Sequence, residues 1–408
     1  MGFELLAPAG NLEKLKMALC YGADAVYLGG RNYGLRAFAG NFGFDELKEG
    51  IEIAHSSGKK IYLTMNIIPH NNDLEGMPEY VEAVSKLGVD AIIVSDPAVF
   101  SIVRETNPEM DIHISTQASN TNWRSVKFWQ DNGAKRIILA RELSLQEVRE
   151  IHEKVPEVEL EIFIHGAMCI SYSGRCLLSN YMAGRDSNRG ECAHPCRWKY
   201  NLVEEKRPGK YYPVYEDERG TFIFNSNDLC MIEHIPEIMN SGATSFKIEG
   251  RMKSSYYVAT VVGAYRRAID RYLSNPAGYK FDPEYLEEVS KASHRNFTTG
   301  FYFGKPDEKD QNYSSSLYIR DYDFVGLVLD YDKETGMAKV EQRNRMFLGE
   351  EVEVVVPGEK YFIQKIGVME NEERDPIDVA PHPQMIVYIH FDKPVCKYTM
   401  LRRKSMEE

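Results

Sequence analysis

The stretch Gly22-Ala23-Asp24-Ala25-Val26-Tyr27-Leu28 sets the pattern that decides the fold. A glycine suited to ending a helix in the left-handed conformation is followed closely by a short apolar, β-prone run. The same layout returns at Gly88-Val-Asp-Ala-Ile-Ile-Val94, Gly133-Ala-Lys-Arg-Ile-Ile-Leu139 and Gly242-Ala-Thr-Ser-Phe-Lys-Ile248. Working outward from these units, strands are predicted at 4–7, 25–29, 60–66, 91–96, 111–117, 136–142, 158–165 and 245–251. Amphipathic helices are predicted at 12–21, 44–56, 78–87, 98–106, 123–132, 145–155 and 256–273. Eight strand–helix alternations predict an α/β fold, a closed TIM-like (β/α)8 barrel with its helices outside. An open doubly wound sheet shares such units, but the strand count and connection lengths favour closure.

The rhythm breaks between the seventh and eighth strands, where residues 168–228 form a long insertion rich in cysteine, glycine, asparagine and arginine. Insertions after a barrel strand lie at the C-terminal face, where barrel enzymes place their chemistry. The barrel is assigned residues 1–275, and 276–316 read as a helix and linker. Residues 317–404 then read as a small all-β barrel, with strands at 324–331, 337–342, 351–356, 360–366 and 385–391. The terminal run Arg402-Arg403-Lys404 reads as a basic tail.

The 408-residue chain carries a net charge of −12, which argues against a uniformly basic nucleic-acid binder. The longest apolar runs fall well short of the roughly 20 residues needed to cross a bilayer, so no membrane association is expected. Met-Gly-Phe-Glu-Leu-Leu-Ala-Pro at the start has no secretory character. A cytoplasmic protein is the expectation.

Strand side chains alternate between faces. On the seventh predicted strand, Leu160, Ile162 and Ile164 form the apolar face, so Glu161, Phe163 and His165 should point into the barrel. By the same reading Lys247, Glu249 and Arg251 point inward from the eighth strand, His113, Ser115 and Gln117 from the fifth, and Thr64 and Asn66 from the third. Buried charges must pair with one another or with a ligand. Glu161 with Lys247 is one such internal pairing; as a set, these carboxylates, imidazoles and cations make a ligand pocket at the barrel mouth. His113 and His165 have the proton affinity to act as acids or bases near neutrality.

Of seven cysteines, Cys169, Cys176, Cys192, Cys196 and Cys230 crowd into one stretch. In a reducing compartment, clustered thiols bind metal or do redox chemistry more often than they form disulfides. Four thiols serve a tetrahedral zinc or an iron–sulfur cluster. The six residues between Cys169 and Cys176 are loose for a zinc knuckle, and Gly174 and Gly190 allow the close backbone approach that a cluster needs.

Glu161-x-Phe163-x-x-Gly166-Ala-Met-Cys169-x4-Gly174-x-Cys176-x-Leu-Ser179 resembles the signature of the collagenase-like peptidase U32 family. The resemblance extends to Leu6-Ala-Pro-Ala-Gly10, Asn225-Ser-Asn-Asp-Leu229 and Lys247-Ile-Glu-Gly-Arg251, and the C-terminal β-domain is similar to the family's usual module. Cys192-x3-Cys196-Arg197-Trp198 looks most like the tRNA-hydroxylation branch. What the resemblance implies is a TIM-like barrel with a 4Fe–4S cluster and oxygen-independent hydroxylation. The implied substrate is the wobble uridine of tRNA, converted to 5-hydroxyuridine with prephenate as the small carboxylated donor. The implied ligands are Cys169, Cys176, Cys192 and Cys196, with Cys230 as an alternative fourth. Asn227, just before Asp228, stands where the family often carries lysine.

The catalytic candidates on this reading are His165, Glu161, His113, Lys247 and Glu249. Arg251, Gln117 and Asn66 are candidates for binding the donor, with Lys247 or Arg251 gripping its carboxylate. For tRNA phosphates the candidate patch is Arg185, Arg189, Arg197, Lys199, Lys206, Arg207 and Lys210, with Trp198 to stack on a base. Arg251 with Lys253, and Arg343 with Arg345, are further candidates. Rival readings are a peptidase, for which no Gly-x-Ser-x-Gly or His-Glu-x-x-His is present, and a non-catalytic partner of a paralogous U32 subunit.

Overall fold

The computed structural model describes residues 2–35, 40–169, 171–197, 215–217, 220–222, 227–304 and 318–405, with backbone alone at 197, 215–217 and 220–222. Each repeat unit folds as its glycine dictates. Gly22, Gly88, Gly133 and Gly242 take φ of +104°, +93°, +92° and +87°, and a barrel strand starts shortly after each. Helix starts are equally local. Asn11 accepts from the Lys14 amide, and Ser144 and Glu147 close a capping box.

The strands are β1 (Glu4–Pro8), β2 (Ala25–Gly29), β3 (Lys60–Met65), β4 (Ala91–Val94), β5 (Asp111–Ile114), β6 (Arg136–Ile138), β7 (Glu159–Ala167) and β8 (Ser245–Ile248). Each pairs in parallel with the next, and β8 pairs with both β7 and β1, which closes the barrel. The outward residues Ile112, Ile114, Phe246 and Ile248 are fully buried under the helices. Beyond the barrel, a short strand at Asp228–Cys230 runs antiparallel to the end of β7, and Phe297–Thr298 lies beside it. Ser255–Ser274, the long helix after β8, buries a face of Val258, Val261, Val262, Tyr265 and Ile269.

The C-terminal domain is a seven-stranded antiparallel sheet with a two-stranded ribbon, a half-barrel around its own apolar core. Here the basic-tail expectation fails. Met400–Lys404 is an inner strand of this sheet, and Arg402 is fully buried. Its guanidinium meets Glu288 at 2.6 Å and Glu353 at 2.8 Å. Both acids are distant in sequence, so a local scan of charge sees only three basic residues near the end of the chain. Lys291 joins Glu353 at 2.9 Å, Arg343 joins Glu13 at 2.9 Å, and Tyr21 donates to the Val355 carbonyl at 2.9 Å. These contacts fasten the two domains together. No helix among the described residues is long and apolar enough to cross a membrane.

Candidate functional site

The predicted inward residues separate into two layers. The deeper layer is closed on itself. Glu161 is fully buried and accepts from Lys247 Nζ at 2.7 Å, Arg136 at 3.2 Å and Ser245 at 3.2 Å. Arg136 also holds Glu4 at 2.5 Å and Glu159 at 2.7 Å, and Tyr62 donates to Glu4 at 2.5 Å. His113 packs on Tyr62 with ring centroids 4.7 Å apart. Burial, reinforced by Arg136 and Lys247, holds this imidazole well below its usual pKa, so it stays neutral.

Above this layer the barrel opens into a cavity of about 640 Å³. Strand ends and the loops after them supply its wall. β3, β5 and β8 stop before Asn66, Gln117, Glu249 and Arg251, so these four stand on mouth loops, and all of them line the cavity. Arg251 is buried and anchored by Asn41 at 2.8 Å and Thr64 at 3.1 Å. Lys247 reaches the same space across the Tyr27 ring, 4.3 Å from its centroid. Asn66 donates to Ser115 at 3.4 Å. The buried Gln117 Oε1 has no hydrogen-bond partner among the described residues.

His165 does not join them. The β7–β8 register pairs Lys247 with Phe163 but Ile248 with His165, so a bulge skips Ile164 and turns His165 to the helix side. Its ring lies 5.6 Å from Tyr265, 6.0 Å from Tyr257 and 5.7 Å from Phe297. Burial drives its pKa down to about 3. The expectation of an inward His165 assumed unbroken alternation, and the bulge breaks it. Gly166 follows at φ +110°, and a Cβ there would come within 2.6 Å of the Glu249 carbonyl oxygen. The glycine of the Phe-x-x-Gly-Ala-Met-Cys stretch thus lets the ends of β7 and β8 touch.

Cys169, Cys176, Cys192 and Cys196 all line the cavity. Cys230 does not. It is buried beside Tyr265, 3.9 Å from its hydroxyl, and burial pushes its thiol up to about 12. Among the described residues, no three His, Cys, Asp or Glu side chains converge closely enough to hold a single metal ion.

Two groups on the wall escape a reading by strand alternation. Arg141 falls within a strand predicted to run to residue 142, but β6 ends at Ile138 and the chain then turns. Arg141 donates to the Ala167 carbonyl at 2.6 Å, lies 3.6 Å from Glu249 and stacks 3.9 Å from the Phe163 ring centre. Tyr318, Arg320 and Tyr322 enter from the C-terminal domain, which no local signal announces. The wall carries Arg141, Lys247, Arg251, Lys253 and Arg320 against Glu249 as the only carboxylate among the described residues. In a chain of net charge −12, the described wall gathers cations at one place.

Parts of the basic patch have other partners. Arg189 is paired with Asp73 at 2.5 Å, and Arg343 with Glu13 and Glu341. Trp198, Lys199, Lys206, Arg207 and Lys210, together with Asn225 and Ser226, lie outside the described residues, as does the side chain of Arg197.

The description "Peptidase family U32" matches residues 10–312, and "Peptidase family U32 C-terminal domain" matches residues 320–402. "tRNA hydroxylation protein P1" of Bacillus subtilis is 46% identical over 400 residues, 98% of this chain and 94% of that protein. "tRNA hydroxylation protein P" of Escherichia coli is 39% identical over 99% of this chain and 97% of its own length. A "Collagenase" of Porphyromonas gingivalis is 33% identical over 89% of each. With both of its domains matched and relatives aligned along nearly their whole length, this chain belongs to peptidase family U32.

Proposed function

We propose that the chain takes part in tRNA hydroxylation, forming 5-hydroxyuridine at the wobble position, with prephenate as the small carboxylated donor bound in the mouth cavity. One observation carries this reading: four thiols and five cations line a single cavity in an acidic protein. The names of the relatives that align along nearly the full chain support tRNA as the larger substrate.

The donor set fits an iron–sulfur cluster. A zinc ion draws four thiolates to about 2.3 Å from one point, and no such convergence exists among the described residues. A 4Fe–4S cluster is wider and takes a thiolate at each corner, which suits thiols spread round a cavity wall. Cys169, Cys176, Cys192 and Cys196 would hold it, and when bound it supplies the one-electron chemistry that side chains lack.

The chain's own residues bind and orient. Arg251, fixed by Asn41 and Thr64, presents its guanidinium to a carboxylate of the donor. Lys247 adds a second positive charge that Glu161 holds in place from below. Gln117 Oε1 accepts a hydrogen bond from the ligand, and Asn66 flanks it. Glu249 and His194 are the wall groups suited to holding or passing a proton. Glu161 acts by positioning Lys247 and Arg136, while His113 stays neutral against Tyr62 and His165 stays neutral behind β7.

Nucleoside mass spectrometry of tRNA from a deletion strain tests the reading. Loss of 5-hydroxyuridine, restored by the wild-type chain and not by Cys169→Ser, is the expected result; an unchanged profile overturns it. The purified protein should be brown and bleach with dithionite. Hydroxylation that appears only when a paralogous U32 subunit is added would make this chain a partner. The collagenase-named relative keeps a peptidase reading alive, and gelatin cleavage lost in Cys169→Ser would favour it.

A further inference from the structure

We infer that the C-terminal domain is a working wall of the cavity, where Arg320 and Tyr318 select a ligand with two separated acidic groups. The inference rests on the small-anion reading above and adds to it the residues that set specificity. Tyr318, Arg320 and Tyr322 open the C-terminal domain, yet they face the same space as Lys247 and Arg251.

This segment is held in place by contacts of its own. Ile319 exchanges backbone hydrogen bonds with His294, at 2.8 and 3.3 Å. Lys253 Nζ lies 3.6 Å from the Tyr318 ring centre and donates to the Ser293 carbonyl at 3.0 Å. The Arg295 guanidinium lies 4.4 Å from the same ring. Tyr256, itself on the cavity wall, stacks on Phe324 at 5.5 Å. Behind the wall, buried Arg402 is clamped between Glu288 and Glu353. Parting the domains would break the Arg402–Glu288 and Lys291–Glu353 pairs together with the contacts at Tyr318 and Phe324, so the wall stays part of the site.

Arg141, Lys247 and Arg251 come from the barrel strand ends, whereas Lys253 and Arg320 lie toward the seam. A monocarboxylate engages one of these sets; a ligand with a second carboxylate engages both. Tyr318, polarised by two neighbouring cations, lines the cavity beside Lys253.

Binding of prephenate, and of phenylpyruvate as a monocarboxylate of similar size, to the full-length protein is measured by calorimetry. Arg320→Glu is exposed and should leave the melting temperature unchanged, which shows that the variant is folded. Prephenate affinity should fall roughly tenfold or more, the value of one charge-assisted contact, and phenylpyruvate affinity should hold. Arg320→Lys should recover part of the loss, and Tyr318→Ala should weaken prephenate in the same direction. Prephenate binding that all three variants leave intact overturns the C-terminal wall and spares the donor reading. No prephenate binding by the unsubstituted protein overturns the donor reading, and the proposed ligand class with it.

Discussion

The two polar layers of the barrel are built from the same residue types on neighbouring strands, and they do opposite things. In the lower layer Glu4, Glu159 and Glu161 answer Arg136 and Lys247, and every charge has a partner. In the upper layer Arg141, Arg251, Lys253 and Arg320 stand against Glu249 as the only carboxylate among the described residues, and four thiols share the wall. Charged strand residues alone therefore do not mark a site. Polar and charged groups gathered round an open volume do, because a ligand can reach them there.

The sharpest way to break this contrast is to remove one carboxylate from each layer. Glu161→Gln leaves two buried cations short of a partner and should cost about 3–5 kcal/mol. Glu249→Gln, at the wetter mouth, should cost under about 1 kcal/mol. Urea unfolding midpoints of the two variants check the difference; equal losses would mean that the layers are not distinct.

Gly166→Ala tests the join between the layers. It forces a side chain into the left-handed region and against the Glu249 backbone. A cost of about 1–3 kcal/mol is expected from thermal unfolding. A compensating shift of β8 would show instead as changed thiol reactivity at Cys169.

The smallest effect is one of pH. His113 and His165 are held neutral by burial, with pKa values below that of the unfolded chain. Below about pH 6.5 the unfolded chain takes up protons that the fold refuses, so stability falls with falling pH, toward about pH 3 for His165. Each site contributes up to about 1.4 kcal/mol per pH unit. Denaturation of His113→Gln between pH 6.5 and 5 should show a shallower slope than the parent; an identical slope would mean that His113 is not held neutral.

Much of the fold was legible in local patterning. The four glycine units mark strand starts, and the predicted helix 44–56 matches Phe44–Ser56. The candidate residues are only partly resolved by alternation. Asn66, Gln117, Lys247, Glu249 and Arg251 come to one cavity, while Glu161, His113 and His165 do not. His165 was misread because a bulge is a property of two paired strands and leaves no mark in one. Arg402 was misread because its acidic partners are far away along the chain.

The chain alone determined what is periodic and local: the strand–helix rhythm, the left-handed glycines, the clustered thiols and the family they resemble. Only the folded molecule decided which charges cancel and which face an open space. It also brought the C-terminal domain to the mouth of the barrel. Pairing of charges depends on distances between residues remote in sequence, and those distances exist only once the barrel has closed and the second domain has docked.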